Sequence, residues 1–294
     1  MPESPHPIDK GQARRAFSRA AGRYDEVAVL QREIGQRMLE RLGLVRLRPG
    51  VILDVGAGTG VATHDLLRRY RKARVIALDF ALPMLQRARR RGSLLRRPGC
   101  LCADFDRIPL ADHSVDLIYS NAAVQWSNDI DRTFREFQRV LRPGGLLMFT
   151  TFGPDTLKEL RQSWSAVDGH SHVSTFLDMH DLGDALVRAR FAEPVMDVDR
   201  MRLTYGEVSD LMRDLKVLGA HNVTDDRCHG LTGKGRMRAM REHYETYRRD
   251  GRLPASYEVV YGHAWAVDGT AAAGCAQVPL SSLSSYPPRP GGGG

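Results

Sequence analysis

Apolar positions along the chain follow two spacings, which predict buried helix faces and buried strands. In "DEVAVLQREIGQRMLERLGL" the residues Val27, Leu30, Ile34, Met38 and Leu42 recur every three or four positions, as one buried helix face requires. Continuous apolar runs lie at 51–55, 74–79, 100–104, 115–120 and 146–152, separated by amphipathic segments. Such alternation is typical of a parallel sheet covered on both faces. We therefore predict an α/β fold with a mostly parallel central sheet and helices on both faces.

The less regular segments predict additions to this core. We expect an N-terminal helical lid at 1–48, a core at 49–204, an α-helical insertion or substrate lid at 205–255, the last core strand at 256–268 and a disordered tail at 269–294. The chain has 294 residues, enough for one large α/β domain with such additions.

The charge of the chain is strongly positive, at +8, and only five of its 43 basic residues are lysines. Abundant arginine is explained either by a GC-rich genome or by an acidic partner. The stretch "RARRRGSLLRR" at 87–97 carries six arginines and no acid. We interpret it first as a solvated helix face, although it could also steer an acidic macromolecule.

Several function classes find no support in the sequence. No apolar run approaches the length of about 18 residues that a membrane span needs, so we expect no membrane partner. The N-terminus lacks the apolar stretch of a secretory signal, and the four scattered cysteines suit a reducing cytoplasm. We expect no metal, because His170, His172 and His180 do not match a metal-ligand spacing. We expect no nucleic-acid partner, because no basic stretch is interleaved with aromatic residues.

The strongest chemical signal is "VILDVGAGTG". A buried strand ends near Asp54, and Gly56, Gly58 and Gly60 follow before a helix. Glycines in this place permit a tight turn and a close approach of a ligand to the backbone. The next strand ends at Asp79, where a carboxylate can bind both hydroxyls of a ribose.

A nicotinamide-dependent enzyme shares this outline but differs in detail. Its fingerprint is Gly-x-Gly-x-x-Gly, whereas the spacing in this chain is Gly-x-Gly-x-Gly after an acid. An acid before the turn favours a cationic ligand without a phosphate.

The pattern resembles motif I of the class I S-adenosylmethionine methyltransferases. "CADFDRIPLADHSVDLIYSN" and "VLRPGG" resemble further signatures of that family, and the resemblance covers about residues 45 to 155. It implies a Rossmann-like class I methyltransferase fold with S-adenosyl-L-methionine as cofactor. Asp79 would bind the ribose, Asp104 would hold the adenine amino group, and Phe105 would stack nearby.

A closer resemblance extends from about residue 10 to 265. "FSRAAGRYDEVAVLQ", "SNAAVQW", "TFGPDTLKELRQSW" and "LKVLGAHN" together resemble the malonyl-[acyl-carrier protein] O-methyltransferases of biotin synthesis. The resemblance implies a cytoplasmic enzyme that esterifies the free carboxylate of malonyl-acyl-carrier protein, an acidic partner. The cofactor-binding residues it implies are Tyr24, Gln31, Asp54, Gly56, Gly58, Gly60, Asp79, Phe80, Met84, Asp104, Phe105 and Asn121. Basic residues between 205 and 250 are our preferred docking surface: Arg213, Lys216, Lys234, Arg236, Arg238 and Arg241.

The stretch "SNAAVQW" at 120–126 offers amides and an indole but no acid or base. This suits a carboxylate acceptor, which is already ionised near neutral pH and needs no general base. No catalytic residue is certain. The positioning candidates are Tyr24, Gln125, Trp126 and Arg161.

Two other hypotheses stay open at the level of the sequence. The acceptor could be a quinone precursor or another small molecule, since "YD…Q" is shared with C-methyltransferases of that type. The chain could also be an assembly factor or binding protein on a methyltransferase scaffold, since "GPDTLxEL"-like residues occur in a mitochondrial complex I assembly factor that acts on a protein arginine. Fold alone does not decide between these.

Overall fold

A seven-stranded sheet forms the centre of the molecule. The computed structural model describes residues 8–92, 96–168, 172–219 and 233–267. The strands are β1 (Val51–Val55), β2 (Arg74–Asp79), β3 (Gly99–Cys102), β4 (Val115–Ser120), β5 (Leu141–Phe152), β6 (Phe191–Tyr205) and β7 (Leu253–Ala266). Their order is β3-β2-β1-β4-β5-β7-β6, with β1 to β5 parallel and β7 antiparallel to both of its neighbours. The predicted α/β fold with a mostly parallel sheet is confirmed.

Helices cover both faces of the sheet. The described helices are α1 (Lys10–Ala20), α2 (Tyr24–Val27), α3 (Val29–Leu42), α4 (Val61–Arg69), α5 (Leu82–Arg91), α6 (Ile130–Val140), α7 (Lys158–Ser165), α8 (Met179–Arg188), α9 (Val208–Val217) and α10 (Lys234–Glu245). Ile34 and Met38 of α3 are fully buried in the core on one face. Phe134 and Phe137 of α6 are fully buried on the other. Among the described residues, none of these helices has the length and apolarity to cross a membrane.

The strand order reverses between β1 and β4, and this reversal positions the site. In an open α/β sheet the chain leaves such neighbouring strands in opposite directions, so a crevice forms beyond their carboxyl ends. Asp54 at the end of β1 pairs in register with Ala77 of β2 and with Tyr119 of β4. The segment after β4, which is the "SNAAVQW" stretch, therefore lies beside the glycine turn after β1.

The N-terminal region contains three helices where the sequence predicts one long helical stretch. The chain turns at Gly22 and Arg23 and again at Ala28, whose ψ of 41° is outside the helical range. Apolar spacing is nearly continuous across these turns, so periodicity alone does not show them. They point the short helix α2, with Tyr24 and Asp25, toward the crevice.

Other boundaries differ from the prediction in the second half of the chain. β5 begins at Leu141, because "RPGG" forms an irregular start of the strand in which Gly144 has a φ of 74°. β6 and β7 form a long antiparallel pair, and β7 begins at Leu253, three residues before the predicted last strand. The predicted tail at 269–294 lies outside the described residues, and the domain boundaries stay a prediction.

A glycine in β7 makes room for a core aromatic ring. Gly262 pairs with Phe149 of β5, and a Cβ atom at Gly262 would lie 2.4 Å from two carbons of the Phe149 ring. Phe149 is fully buried and packs 5.3 Å from the ring centroid of Phe134. We predict that Gly262→Ala lowers the free energy of unfolding by about 1–3 kcal/mol through overpacking, measured by chemical denaturation.

Gly99→Ala in β3 is the matched control. A Cβ atom at Gly99 meets its nearest neighbour, in Ile76, at an ordinary 3.7 Å. Alanine there should leave stability unchanged or raise it by up to about 1 kcal/mol, because glycine loses more backbone entropy on folding. Equal effects of the two substitutions would contradict the packing account.

Candidate functional site

The three glycines after β1 have two different physical roles. A Cβ atom at Gly56 would lie 2.3 Å from Ala123, within the "SNAAVQW" stretch, and one at Gly60 would lie 2.6 Å from Ala88 of α5. Both positions allow segments to pack closely. Gly58 has no atom within 4 Å of such a Cβ, so its backbone faces open space. The turn thus combines two packing contacts with one exposed surface for a ligand.

Asp54 and Asp79 are buried carboxylates on either side of this turn. Asp79 accepts hydrogen bonds from Gly58 N at 2.9 Å and from Ala81 N at 2.8 Å. Asp54 accepts a short hydrogen bond from the hydroxyl of Thr63 on α4. Burial raises the pKa of Asp54 to about 7 and the pKa of Asp79 to about 6, because the charged forms lose hydration. A cation beside them would favour the ionised forms.

A cavity of about 410 Å³ opens next to the glycine turn. Its walls come from α2 and α3 on one side and from β1, the glycine turn and α4 on the other. The residues that line it include Tyr24, Gln31, Asp54, Gly56, Gly58 and Asn121. The side-chain oxygen of Gln31 is buried without a hydrogen-bond partner among the described residues. Such an oxygen accepts a donor from a ligand.

A second, smaller recess lies on the far side of Asp79. Phe80, Asp104, Phe105 and Trp126 line it together with Ile8, Lys10 and Ala13 of the N-terminal segment. The ammonium of Lys10 contacts both oxygens of Asp104, at 2.8 and 2.9 Å, and also contacts Asp106. Each carboxylate oxygen has two acceptor sites, so Asp104 can still accept a hydrogen bond from an adenine amino group.

The N-terminal helices are fastened over the site by contacts that the sequence does not signal. Phe17 of α1 packs edge-on against Trp126, with ring centroids 5.1 Å apart, and lies 5.8 Å from Phe80. Asp25 of α2 accepts a hydrogen bond from Thr59 Oγ1 at 2.6 Å and contacts the guanidinium of Arg91. Met84, predicted to contact the cofactor, is buried beneath these helices with Ala20 and Ala21.

Lys10, Phe17 and Thr59 are site residues that sequence reasoning missed. Lys10 and Asp104 are separated by 94 positions, so no spacing rule connects them. One feature of the sequence did distinguish Lys10. Lys10 is one of only five lysines in an arginine-rich chain, and it directly follows the helix-capping residue Asp9.

Asn121 joins three parts of the structure. Its amide nitrogen donates to the carbonyl of Gln31 at 2.9 Å, and its amide oxygen accepts from Thr150 Oγ1 at 2.8 Å. These bonds fix α3 against β5. Asn121 also lines the cavity, so it shapes the wall while both ends of its amide are engaged by the protein.

The remaining positioning candidates lie in different places. Gln125 donates to the carbonyl of Ala122 at 2.6 Å and is held within its own turn. Arg161 donates to the carbonyls of Pro154 and Thr156 at 2.7 and 2.9 Å. Its guanidinium therefore stabilises the "GPDT" turn, and Arg161 is not among the described residues that line the cavity. The roles of these residues toward a substrate stay predictions.

The histidines of the candidate metal cluster have local partners. His172 stacks on Trp164 at 3.8 Å and is 2.9 Å from Asp168, whereas His180 is 2.6 Å from Asp178 at the start of α8. His170 lies outside the described residues. Within the described ranges, no group of three or more His, Cys, Asp or Glu side chains is arranged to hold a metal ion.

Comparison with known proteins gives a domain match and a similar fold. The methyltransferase domain model matches residues 53–149, which include the glycine turn and the "SNAAVQW" stretch. The fold is similar to that of the YcgJ protein from Bacillus subtilis, with a TM-score of 0.57 at 15% identity over 80% of this chain and 99% of that one.

Much closer relatives are found among curated proteins. The malonyl-[acyl-carrier protein] O-methyltransferase of Methylovorus sp. is 54% identical over 88% of this chain and 89% of its own length. The protein of the same name from Gallionella capsiferriformans is 54% identical over 88% of this chain and 91% of its own length. Methyl transfer by this family uses S-adenosylmethionine, and the acid-flanked glycine turn fits that cation. The chain belongs to the malonyl-[acyl-carrier protein] O-methyltransferase family.

Proposed function

We propose that this chain transfers a methyl group from S-adenosylmethionine to the free carboxylate of malonyl-acyl-carrier protein. The observation that carries the proposal is the cavity beside buried Asp54 and Asp79, in a chain 54% identical to two proteins named for this reaction. The malonyl methyl ester formed would serve pimelate and biotin synthesis. The reaction would occur in the cytoplasm, where Cys100 and Cys102, which are free thiols in the structure, remain reduced.

The residues near Asp79 offer partners for the cofactor. Asp79 would bind the ribose hydroxyls, and Phe80, Phe105 and Trp126 would flank the adenine. The recess between these aromatic residues has a volume of only about 10 Å³, so the N-terminal segment that lines it would move aside when the adenine binds. The open backbone face of Gly58 and the buried oxygen of Gln31 would receive the methionine part. When bound, the cofactor supplies an electrophilic methyl group on a positively charged sulfur.

The acceptor needs no general base, because a malonyl carboxylate is ionised near neutral pH. Within the described residues, the cavity is lined by no histidine, lysine or cysteine. Two of its acids are paired, since Asp25 contacts Arg91 and Glu33 lies 2.8 Å from Arg37. Their charges therefore oppose an anionic acceptor less than free carboxylates would.

Tyr24 is the best-placed donor to the acceptor carboxylate. Its side chain lines the cavity, and burial next to Asp79 and Asp25 raises the pKa of its phenol well above the ordinary value. The phenol therefore stays protonated throughout the physiological range and would be able to donate a hydrogen bond to the acceptor. Helices α1 to α3 exclude water around the reacting groups, so catalysis would consist mainly of positioning in a shielded space.

The direct test of the proposal is mass spectrometry of the carrier protein. Incubation of the chain with S-adenosylmethionine and malonyl-acyl-carrier protein should add the mass of one CH₂ unit to the malonyl arm. Asp79→Ala should abolish the gain by removing the ribose-binding carboxylate, and Asp181→Asn, an exposed carboxylate on α8, should leave it unchanged. Methylation of a quinone precursor with no gain on the malonyl arm would contradict the proposal.

Tyr24→Phe tests the role of the phenol. Loss of a hydrogen bond to a charged group costs about 1.5–3 kcal/mol, so kcat/KM for the malonyl substrate should fall by about 10- to 150-fold. The dissociation constant of S-adenosylmethionine, measured by calorimetry, should change little. A large loss of cofactor affinity with unchanged turnover would instead assign Tyr24 to the cofactor.

The buried carboxylate of Asp54 should make stability depend on pH. Folding raises its pKa from 3.8 to about 7, so the folded state retains a proton over a range in which the unfolded chain has released it. This contribution to stability is present at low pH and is lost as pH rises toward about 7. In the protein without added cofactor, Asp54→Asn should raise the free energy of unfolding by about 1–3 kcal/mol at pH 8, as measured by denaturation.

The effect of Asp54→Asn should disappear at about pH 4, where the wild-type carboxyl is protonated in the folded state. Stability profiles that run parallel for the variant and the wild type from about pH 4 to 8 would show that Asp54 does not titrate as the structure indicates.

A further inference from the structure

Two helices that contact each other, α1 and α5, carry six arginines that have no acidic partner among the described residues. We call this surface the basic face and define it by Arg14, Arg15 and Arg19 of α1 and Arg87, Arg89 and Arg90 of α5. All six side chains are exposed, and neither helix contains an aspartate or glutamate. None of the six forms an ion pair with any described residue. Their charge is therefore uncompensated by the fold.

Some arginines elsewhere on the described surface pair with nearby acids. Such pairs include Arg41 with Asp197, Arg139 with Asp112 and Glu136, Arg142 with Asp116, Arg188 with Asp131, and Arg248 with Glu245. Other exposed arginines, among them Arg48, Arg71 and Arg74, also form no ion pair with a described residue. The basic face is therefore distinguished by its position on two touching helices next to the site.

The basic face adjoins the site. α5 begins at Leu82, three residues after Asp79, and α1 packs on the site through Phe17. The two helices contact each other, and a Cβ atom at Gly22, just after α1, would lie 3.9 Å from the guanidinium of Arg87. Arg91, the next arginine of α5, is fixed to Asp25 of α2. A partner bound to this face would be held next to the helices that cover the cavity.

The structure weakens the alternative surface in 205–250. Of its six basic residues, Arg213 pairs with Asp210, Arg236 with Asp168, and Arg238 with Glu242, whereas the other three form no ion pair with a described residue. Paired arginines contribute less long-range field than unpaired ones. We therefore prefer α1 and α5 to α9 and α10 as the docking surface.

We propose that the basic face docks the acidic carrier protein and delivers its malonyl arm to the cavity, an inference that rests on the proposed function. An acidic helix of the carrier would lie against the arginines of α1 and α5. Leu82, which is 53% exposed at the start of α5, offers an apolar contact at the edge of the charged area. A nucleic acid fits less well, because neither helix presents an exposed aromatic side chain for base stacking.

The test compares two variants of equal charge. The docking variant carries Arg15→Glu, Arg87→Glu and Arg90→Glu. The control carries Arg48→Glu, Arg71→Glu and Arg74→Glu, which are exposed positions at the amino ends of β1 and β2, whereas the site lies at the carboxyl ends of these strands. Thermal denaturation and cofactor affinity check that both variants fold.

The docking variant should raise KM for malonyl-acyl-carrier protein about tenfold or more, because docking charges act mainly through the association rate. Its kcat/KM for malonyl-pantetheine, which lacks the protein, should stay within about twofold of the wild type, and added salt should weaken only the wild type and the control. Equal losses with both substrates, or equal losses in both variants, would overturn the proposal.

A binding measurement separates failure of the docking proposal from failure of the proposed function. Holo-carrier protein without the malonyl group is titrated into each variant and followed by fluorescence anisotropy. Weak binding by the docking variant alone supports the basic face even if no methyl transfer occurs. Unchanged carrier binding, with loss of binding to a mixed-sequence RNA, would overturn the proposal in favour of a nucleic-acid surface.

Discussion

The site in this structure depends on two carboxylates, which are buried at the ends of neighbouring parallel strands. Asp54 and Asp79 are held close to the same glycine turn, and the backbone nitrogens of Gly56 and Ala57 donate to the carbonyl of Leu78 at 2.9 and 3.0 Å. The turn is thereby fastened to β2 directly before Asp79. Burial makes the ionised carboxylates costly, and a cationic ligand offsets that cost. The site thus favours a sulfonium cofactor over a phosphate-bearing one.

The N-terminal helices and the sheet provide different parts of the site. The sheet provides the carboxylates and the glycine turn, whereas α1 to α3 provide Tyr24, Gln31 and the aromatic contact of Phe17 with Trp126. These contacts shield the cavity from water, and Lys10 fastens the start of α1 to Asp104. Because α1 also carries half of the basic face, we propose that the helix whose Phe17 packs against Trp126 also presents positive charge to the carrier protein.

Local sequence features predicted the fold and the glycine turn, because strand periodicity, Asp54 and the glycine spacing all act within one strand-turn-helix unit. The turns that divide the N-terminal helices were not predictable, since apolar spacing continues across Ala28. The hydrogen-bond partners of Asn121 and Lys10 could not be predicted either, because contacts across about 90 positions of the chain leave no local sequence pattern. The segment "SNAAVQW" shows both what the sequence could predict and what it could not. Its polar composition suggested a pocket, whereas the structure shows that Asn121 and Gln125 bind mainly to the protein itself.

The central claim is that the site positions an acceptor that arrives already ionised, without a general base. The rate of a single turnover in the preformed complex with S-adenosylmethionine and malonyl-acyl-carrier protein, measured by rapid quench between about pH 6.5 and 9, tests it most directly. The account predicts a rate that does not change with pH, because the malonyl carboxylate is fully ionised across that range. A rate that rises about tenfold per pH unit and then levels off would reveal a titrating base and contradict the account.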